Sequence, residues 1–282
     1  MLVREYRTRL RDILGEMNPE EAAAIADLML CAALETDRGT MLSVLDEEMS
    51  DEAEEFCGKA IKELSYGKPI QYVLGSCCFY GQEIAVGDGV FIPRSDTELC
   101  VETALKLLQP GDTFADLCSG SGCIARAIAD SLPDCSGYAL ELSQKALPYT
   151  LFNTKDCPNL EVLRFDVLDA DDYAALSIKA GKPLDMIISN PPYIPTDVID
   201  MLSSEVQYEP HTALDGGEDG LRYYRAIVAY APLILKEDGI IIFEIGYDQA
   251  EDVSRILEEA GYSVAVLKDY AKNDRVVFAK RG

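Results

Sequence analysis

The sequence predicts a doubly wound α/β domain built on a seven-stranded sheet, preceded by a small all-helical domain. Three observations predict it. From Thr113 onward, short apolar runs alternate with segments of helical spacing. Acidic and glycine-rich turns fall at the carboxyl ends of those runs, where open α/β sheets bind ligands. The last two runs are separated only by a polar segment around Lys272-Asn273-Asp274, too short for a crossover helix, so the closing pair is expected to be antiparallel.

Taken in order, residues 1–70 read as a helical module suited to substrate recognition. Asn18, Pro19, Glu20 and Glu21 supply a cap, a first-turn proline and acids at the positive end of a helix. Ser50-Asp51-Glu52 opens another helix in the same way, and Phe56, Ala60, Ile61 and Leu64 recur at helical spacing. Residues 71–93 alternate apolar and aromatic pieces with Gly75, Gly81, Gly87 and Gly89, which predicts a β-hairpin linker. Residues 94–282 form the α/β domain. Ser95-Asp96-Thr97-Glu98 has the pattern of a capping box for a helix running to about Leu108. Strands are expected at 113–118, 137–142, 160–165, 184–189, 239–245, 262–268 and 275–280, with helices between most of them.

The chain has 282 residues and 48% hydrophobic content, enough for a substantial core and two domains. Its net charge is −25, from 50 acidic against 25 basic side chains spread over the whole length. Such a surface repels phosphate backbones, so no direct nucleic-acid partner is expected. Nine cysteines, with no Cys-x-x-Cys pair, indicate neither a disulfide framework nor a metal site. Free thiols point to a reducing cytoplasm. The start lacks an apolar signal core, no run is long enough to span a membrane, and a monomer is the default expectation.

Asn190-Pro191-Pro192-Tyr193 is the most informative stretch. It ends a buried apolar run, so it places a carboxamide, rigid carbonyls and an aromatic ring at a strand's carboxyl end. An amide or exocyclic amino nitrogen is a weak nucleophile because its lone pair is delocalised. The Asn190 side-chain oxygen can accept one of its N–H groups and the Pro191 carbonyl the other. Two acceptors off the amide plane favour a pyramidal, transition-state-like nitrogen. The prolines restrict the backbone, and Tyr193 can stack on a flat group.

Asp116-Leu117-Cys118-Ser119-Gly120-Ser121-Gly122 ends the first strand of the domain and opens a helix, the place for a cofactor loop. Gly120-x-Gly122-x-x-Ala125 also satisfies the weaker dinucleotide pattern, and Glu141 at the next strand end suits ribose hydroxyls in either case. Asn-Pro-Pro-Tyr has a role in methyl transfer to nitrogen and none in hydride transfer, which favours S-adenosylmethionine. Asp166 is placed to reach an adenine amino group or to cap its strand end, and Val167 to pack on the base.

Several further segments, read together with these, resemble the peptide chain release factor N(5)-glutamine methyltransferases over nearly the whole chain. They are Pro69 to Gly75, Phe91 to Glu98, Asp116 to Ile124, Ser189 to Ile194, Glu209-Pro210, Ala213-Leu214 through Gly220-Leu221, Phe243 to Gly246 and Asp274 to Val277. The resemblance implies a helical N-terminal domain, a β-hairpin and a class I S-adenosylmethionine-dependent methyltransferase domain. It implies methylation of the glutamine in the Gly-Gly-Gln loop of bacterial class 1 release factors. By motif match, Asn190 through Tyr193 hold the glutamine amide, and residues 118–122, Glu141, Val167 and Asn190 line the cofactor. Against the family pattern, Cys118 replaces a loop glycine, Ser95-Asp96 replaces Pro-Glu, Glu141 replaces Asp and Val167 replaces an aromatic. The cysteine implies either a locally different loop or slight backbone strain.

Arg94 is read either as orienting the substrate loop or as pairing with an acid. His211, the only histidine, is expected at a loop edge without a catalytic role, and Cys77 and Cys78 as small buried apolars. The competing functions are adenine-N6 methylation of DNA or RNA, nicotinamide-dependent oxidation through the glycine loop, and non-catalytic scaffolding.

Overall fold

A computed structural model describes residues 1–281, which divide into two compact units, Met1–Gly75 and residues 76–281. The first contains helices α1 (Val3–Gly15), α2 (Ala22–Ala33), α3 (Arg38–Ser43), α4 (Asp51–Leu64) and α5 (Ile70–Leu74). Its core gathers Leu10, Leu14, Met29, Leu30, Met41 and Cys57 from four of them. Asp27 ties the bundle together. It accepts two hydrogen bonds from Arg7 at 2.7 Å each, one from Arg11 at 3.1 Å and one from Arg38 at 3.2 Å. The Arg7 bonds chiefly hold its carboxyl down at about 2.

Two local expectations for this unit change. Ser50 caps α4 as expected, its hydroxyl accepting from the Ala53 N–H at 3.1 Å. Asn18 instead accepts from the Glu21 N–H in a preceding turn, and regular helix starts at Ala22. Residues 71–74, where extended structure was expected, are helical. Gly75 ends that helix in the left-handed conformation at φ 80°, the glycine terminus of a helix rather than part of a strand.

The second unit opens with a two-stranded antiparallel hairpin, β1 (Ser76–Phe79) and β2 (Gln82–Ala85). Tyr80 (φ 50°) and Gly81 (φ 73°) form its two-residue turn, and both lie in the region such turns require. The capping box does not form. Glu98 turns its carboxylate to the Tyr80 N–H at 2.8 Å, and residues 95–97 become a tight 3₁₀ turn ahead of α6 (Glu98–Leu107).

Then follow β3 (Thr113–Leu117), α7 (Cys123–Ser131), β4 (Ser136–Glu141), α8 (Leu147–Asn153), β5 (Leu160–Arg164), α9 (Ala170–Ala180) and β6 (Leu184–Ser189). After a long connection containing α10 (Ser204–Gln207) come α11 (Arg222–Tyr230), β7 (Leu235–Glu244), α12 (Ala250–Glu259), β8 (Tyr262–Lys268) and β9 (Asp274–Arg281). The sheet order is β5-β4-β3-β6-β7-β9-β8. The first five strands are parallel, and β9 pairs antiparallel with both β7 and β8. The closing hairpin is therefore as expected. β3 is buried at every position because helices cover both faces, which explains why it shows no regular apolar–polar alternation. Tyr173, Tyr224 and Phe243 are the largest fully buried side chains of the core packed there.

The order puts β3 and β6 side by side in the middle of the sheet, with β4 and β7 flanking them. Strand order reverses between β3 and β6, so their carboxyl ends flank the crevice where ligands bind in such folds.

Candidate active site

A cavity of about 300 Å³ opens at the carboxyl ends of β3, β4 and β6, a size suited to a small cofactor. Its wall includes Cys118, Ser119, Gly120 and Ser121 after β3, and Glu141 at the end of β4. Asp166 and Val167 follow β5, and Asn190 through Tyr193 follow β6. Phe91, Pro93 and Thr97 close one side, and Pro210, Thr212, Leu214 and Tyr223 another.

Glu141 shapes the cofactor loop. One of its oxygens accepts from the Gly120 N–H at 2.7 Å, and the other from the Ser143 N–H at 2.6 Å. Burial raises its carboxyl, and these backbone donors pull the other way. Asp166 caps its strand end and also faces the cavity. It lies on the cavity wall, and its Oδ1 accepts from the Leu168 N–H at 2.9 Å. Asp116 differs from expectation. It is fully buried behind the loop rather than on the wall, with Oδ2 accepting from the Ser119 hydroxyl at 2.6 Å and the Ala125 N–H at 3.2 Å. Burial pushes its carboxyl up to about 7, against those two donors. Gly122 is also off the wall. At φ 81° it starts α7, and a Cβ there would meet Thr150 and Thr154 at 3.1 Å.

Cys118 adopts φ 58°, so the thiol-bearing residue occupies the backbone conformation a glycine normally takes. Burial raises its thiol, which keeps it protonated and a poor nucleophile. Replacing it with glycine removes a left-handed cost of about 1–2 kcal/mol but adds unfolded-state entropy of about 0.5–1 kcal/mol. Cys118→Gly is therefore expected to keep or slightly raise thermal stability and to leave S-adenosylmethionine affinity equal or better, read by calorimetric titration. A large loss of affinity would reveal a thiol contact.

The Asn190-Pro191-Pro192-Tyr193 segment is held from several directions. Ser189 donates to the Leu117 carbonyl at 2.6 Å, joining the β6 end to the β3 end. Gln249 donates to the Tyr193 carbonyl at 2.9 Å while its own carbonyl accepts from the Gly246 N–H at 3.0 Å. Ile194 donates to the Leu214 carbonyl at 3.0 Å and accepts from the Gly216 N–H at 2.8 Å across the neighbouring loop. Asn190 Nδ2 donates to the Thr97 hydroxyl at 3.4 Å. Among the described residues no donor reaches the Asn190 Oδ1 or the Pro191 carbonyl, so both acceptors remain available on the cavity wall. The Tyr193 phenol is raised by burial and stays neutral.

Arg94 does not line the cavity. It forms an ion pair with buried Glu209, which also accepts from the Ile92 N–H at 2.9 Å. The pair joins the Phe91–Arg94 segment to the loop around residue 210. His211 is exposed, with Nδ1 3.8 Å from Asp215. Cys77 is half-buried and Cys78 exposed, so the latter is not the buried apolar expected. Sequence reasoning assigned no role to Thr97, Tyr223, Glu244 or Gln249. Glu244 carried one usable signal: it is an acid closing an apolar strand at the same sheet edge as Asn190.

None of the described residues on the cavity wall is Lys, Arg or His, while Glu141 and Asp166 are both there. That charge fits a cationic sulfonium and suits a pyrophosphate poorly. The small loop residues fit as well: a Cβ at Gly120 would meet only the Cys118 carbonyl, at 4.0 Å. Fold and site together define an S-adenosylmethionine-dependent methyltransferase.

A family model described as the PrmC N-terminal domain matches residues 5–75. The release factor glutamine methyltransferase of Clostridium acetobutylicum is 35% identical over 100% of this chain and 99% of its own length. That of Thermodesulfovibrio yellowstonii is 36% identical over 97% of each chain. A Streptococcus mutans structure assigned as a SAM-dependent methyltransferase shares the fold at TM-score 0.51 and 15% identity, covering 73% of this chain and 55% of that one. The chain belongs to the release factor glutamine methyltransferase family.

Proposed function

We propose that this protein methylates the side-chain amide nitrogen of the glutamine in the Gly-Gly-Gln motif of bacterial class 1 peptide chain release factors, using S-adenosylmethionine. The observation that carries the reading is the pair of unengaged acceptors, Asn190 Oδ1 and the Pro191 carbonyl, on the wall of an acid-lined cavity. Bound S-adenosylmethionine supplies an electrophilic methyl group on a cationic sulfur.

Asn190 Oδ1 takes one N–H of the glutamine amide and the Pro191 carbonyl takes the other. Held by two acceptors, the nitrogen loses conjugation with its own carbonyl and exposes its lone pair. Pro192 and Tyr193 flank the flat amide and exclude water. Glu141 accepts ribose hydroxyls with its remaining lone pairs, and Asp166 and Val167 flank the adenine. Arg94 acts on the substrate loop through its hold on Glu209. No strong base is required, because a methylated, positively charged amide nitrogen is a strong acid that loses its proton readily. Exposed His211 fits that account.

The same reading takes the protein as a cytoplasmic monomer with no nucleic-acid partner and residues 1–70 as the part that recognises the release factor. The acidic charge of −25 supports the absence of a nucleic-acid partner. Among the described residues no helix is long and apolar enough to cross a membrane. The test is incubation with labelled S-adenosylmethionine and, separately, an unmethylated release factor, DNA and RNA. Label is expected on the release factor glutamine; label confined to nucleic acid overturns the reading in favour of adenine methylation.

A further inference from the structure

Glu244 ends β7 beside the motif-bearing β6, yet it does not line the cavity. It is 2% exposed, and its Oε2 has no hydrogen-bond partner. The Thr97 hydroxyl and the Asn190 carboxamide both lie near enough to the carboxylate to pull its carboxyl down. The hydrogen bond formed among the three groups is that from Asn190 Nδ2 to Thr97, at 3.4 Å. Three polar groups from three elements thus converge behind the clamp: one from the turn before α6, one from the end of β6 and one from the end of β7.

We propose that Glu244, acting through Thr97, is the positioning residue that sets which way the Asn190 carboxamide faces. This rests on the amide-clamp reading above. A carboxamide has one accepting and one donating end, and the two are nearly the same shape. If Asn190 presented Nδ2 to the cavity, donor would face donor and the substrate N–H would have no acceptor. An ionised carboxylate accepts only. Thr97 has a single hydroxyl proton; giving it to Glu244 leaves only lone pairs toward Asn190. Nδ2 must then face Thr97, as observed, which leaves Oδ1 for the cavity. Charge transmitted along the chain also polarises the carboxamide and makes Oδ1 a better acceptor.

The neighbourhood supports a carboxylate that responds to its donors. Burial is the main influence and pushes the Glu244 carboxyl up to about 7, so the acceptor-only carboxylate prevails above that pH and its orienting effect weakens below it. Thr97, the Arg275 guanidinium and Asn190 pull it down, and Asp96 pushes it up. Arg275 is itself held by Asp269 at 3.3 Å and Asp96 at 3.4 Å. The same cation therefore serves two acids that reach hydrogen-bonding or ion-pair distance, and Glu244 is left with a free Oε2. The nearby Cys100 and Tyr224 are fully buried and held protonated by that burial. Glu244 touches no cavity surface, so its effect on turnover is indirect.

The test uses the full chain and two readouts. Thr97→Val keeps shape and removes the hydroxyl, Thr97→Ser keeps the hydroxyl, and Glu244→Gln removes the acceptor-only group. In ¹H–¹⁵N spectra, the Asn190 side-chain amide, identified as the pair missing from Asn190→Ala, is expected to shift in Thr97→Val and Glu244→Gln and to stay near its wild-type position in Thr97→Ser. An unmoved resonance in the first two overturns the proposal, whatever the substrate proves to be. In release factor assays, kcat is expected to fall roughly 10²-fold in Thr97→Val and Glu244→Gln, with KM for the release factor and Kd for S-adenosylmethionine unchanged. Thr97→Ser is expected to recover most of that turnover. An active wild type with unimpaired Thr97→Val and Glu244→Gln variants overturns this inference alone. A wild type inactive on release factors overturns the functional reading, and the spectra still decide the inference.

Discussion

Asn190→Ala is expected to lower turnover on the release factor by on the order of 10²–10³-fold or more while S-adenosylmethionine still binds. On the proposed reading the cofactor is shared among many groups, of which Asn190 is one, since the loop after β3, Glu141, Asp166 and Val167 share the wall. On the same reading the amide has two acceptors, and the variant deletes one of them. A loss of this size corresponds to about 3–4 kcal/mol of transition-state stabilisation, more than one ordinary hydrogen bond contributes to ground-state binding. The difference is the signature of an acceptor matched to a pyramidal nitrogen rather than to the planar amide. KM for the release factor should change less than kcat, since the protein substrate makes contacts beyond its glutamine. Single-turnover rates and calorimetric titration of S-adenosylmethionine separate the two effects. Near-normal turnover would sink the clamp, and loss of cofactor binding would move Asn190 from substrate to cofactor.

The parts of this molecule legible in the sequence are those set by neighbours along the chain. Residues 186–188 of β6 and 240–243 of β7 read as strand because burial on both faces leaves an apolar run with no alternation. Asn190 and Glu141 read as functional because each ends such a run. The antiparallel close followed from the length of one connection. The illegible parts depend on contacts distant in sequence. Thr97 meets Asn190 across 93 positions, and Gln249 supports Tyr193 across 56. No local pattern marks either pair. The same cause explains the local misreadings. Ser95-to-Glu98 has the letters of a capping box, but the Glu98 carboxylate is drawn to the Tyr80 N–H of the hairpin turn. Asp116 sits at a strand end like a ligand contact, but the loop folds over it and uses it as an internal acceptor for Ser119 and Ala125. Cys118 lies between the two cases. A departure from glycine was visible, and the structure resolves it as backbone strain at φ 58° rather than as a different loop.

Gly220→Ala is expected to be the most damaging substitution outside the clamp, for two separable reasons. Gly220 adopts φ 71°, which costs an alanine about 1–2 kcal/mol. A Cβ there would also lie 2.7 Å from Gln249 Nε2, and closer still to the Tyr193 carbonyl oxygen. Those two atoms form the hydrogen bond that supports the clamp from behind. The clash therefore pushes on Tyr193 itself, and a displacement near 1 Å at a reacting group can cost roughly 10²-fold in rate. Two other glycines isolate the contributions. Gly111 has φ 90° with nothing within 4 Å of its Cβ position, so Gly111→Ala carries strain without crowding. Gly216 has no positive φ, but its Cβ would lie 2.8 Å from the Cα atoms of both Gly220 and Tyr193, so Gly216→Ala carries crowding without that strain. Strain alone should lower Tm by roughly 2–8 °C in a unit of this size. Gly111→Ala is thus expected to melt lower and keep full activity. Gly216→Ala should lose turnover, and Gly220→Ala should do both. Full turnover in Gly216→Ala and Gly220→Ala would mean that the Tyr193 backbone can move without cost, and that the clamp depends on Asn190 and Pro191 alone.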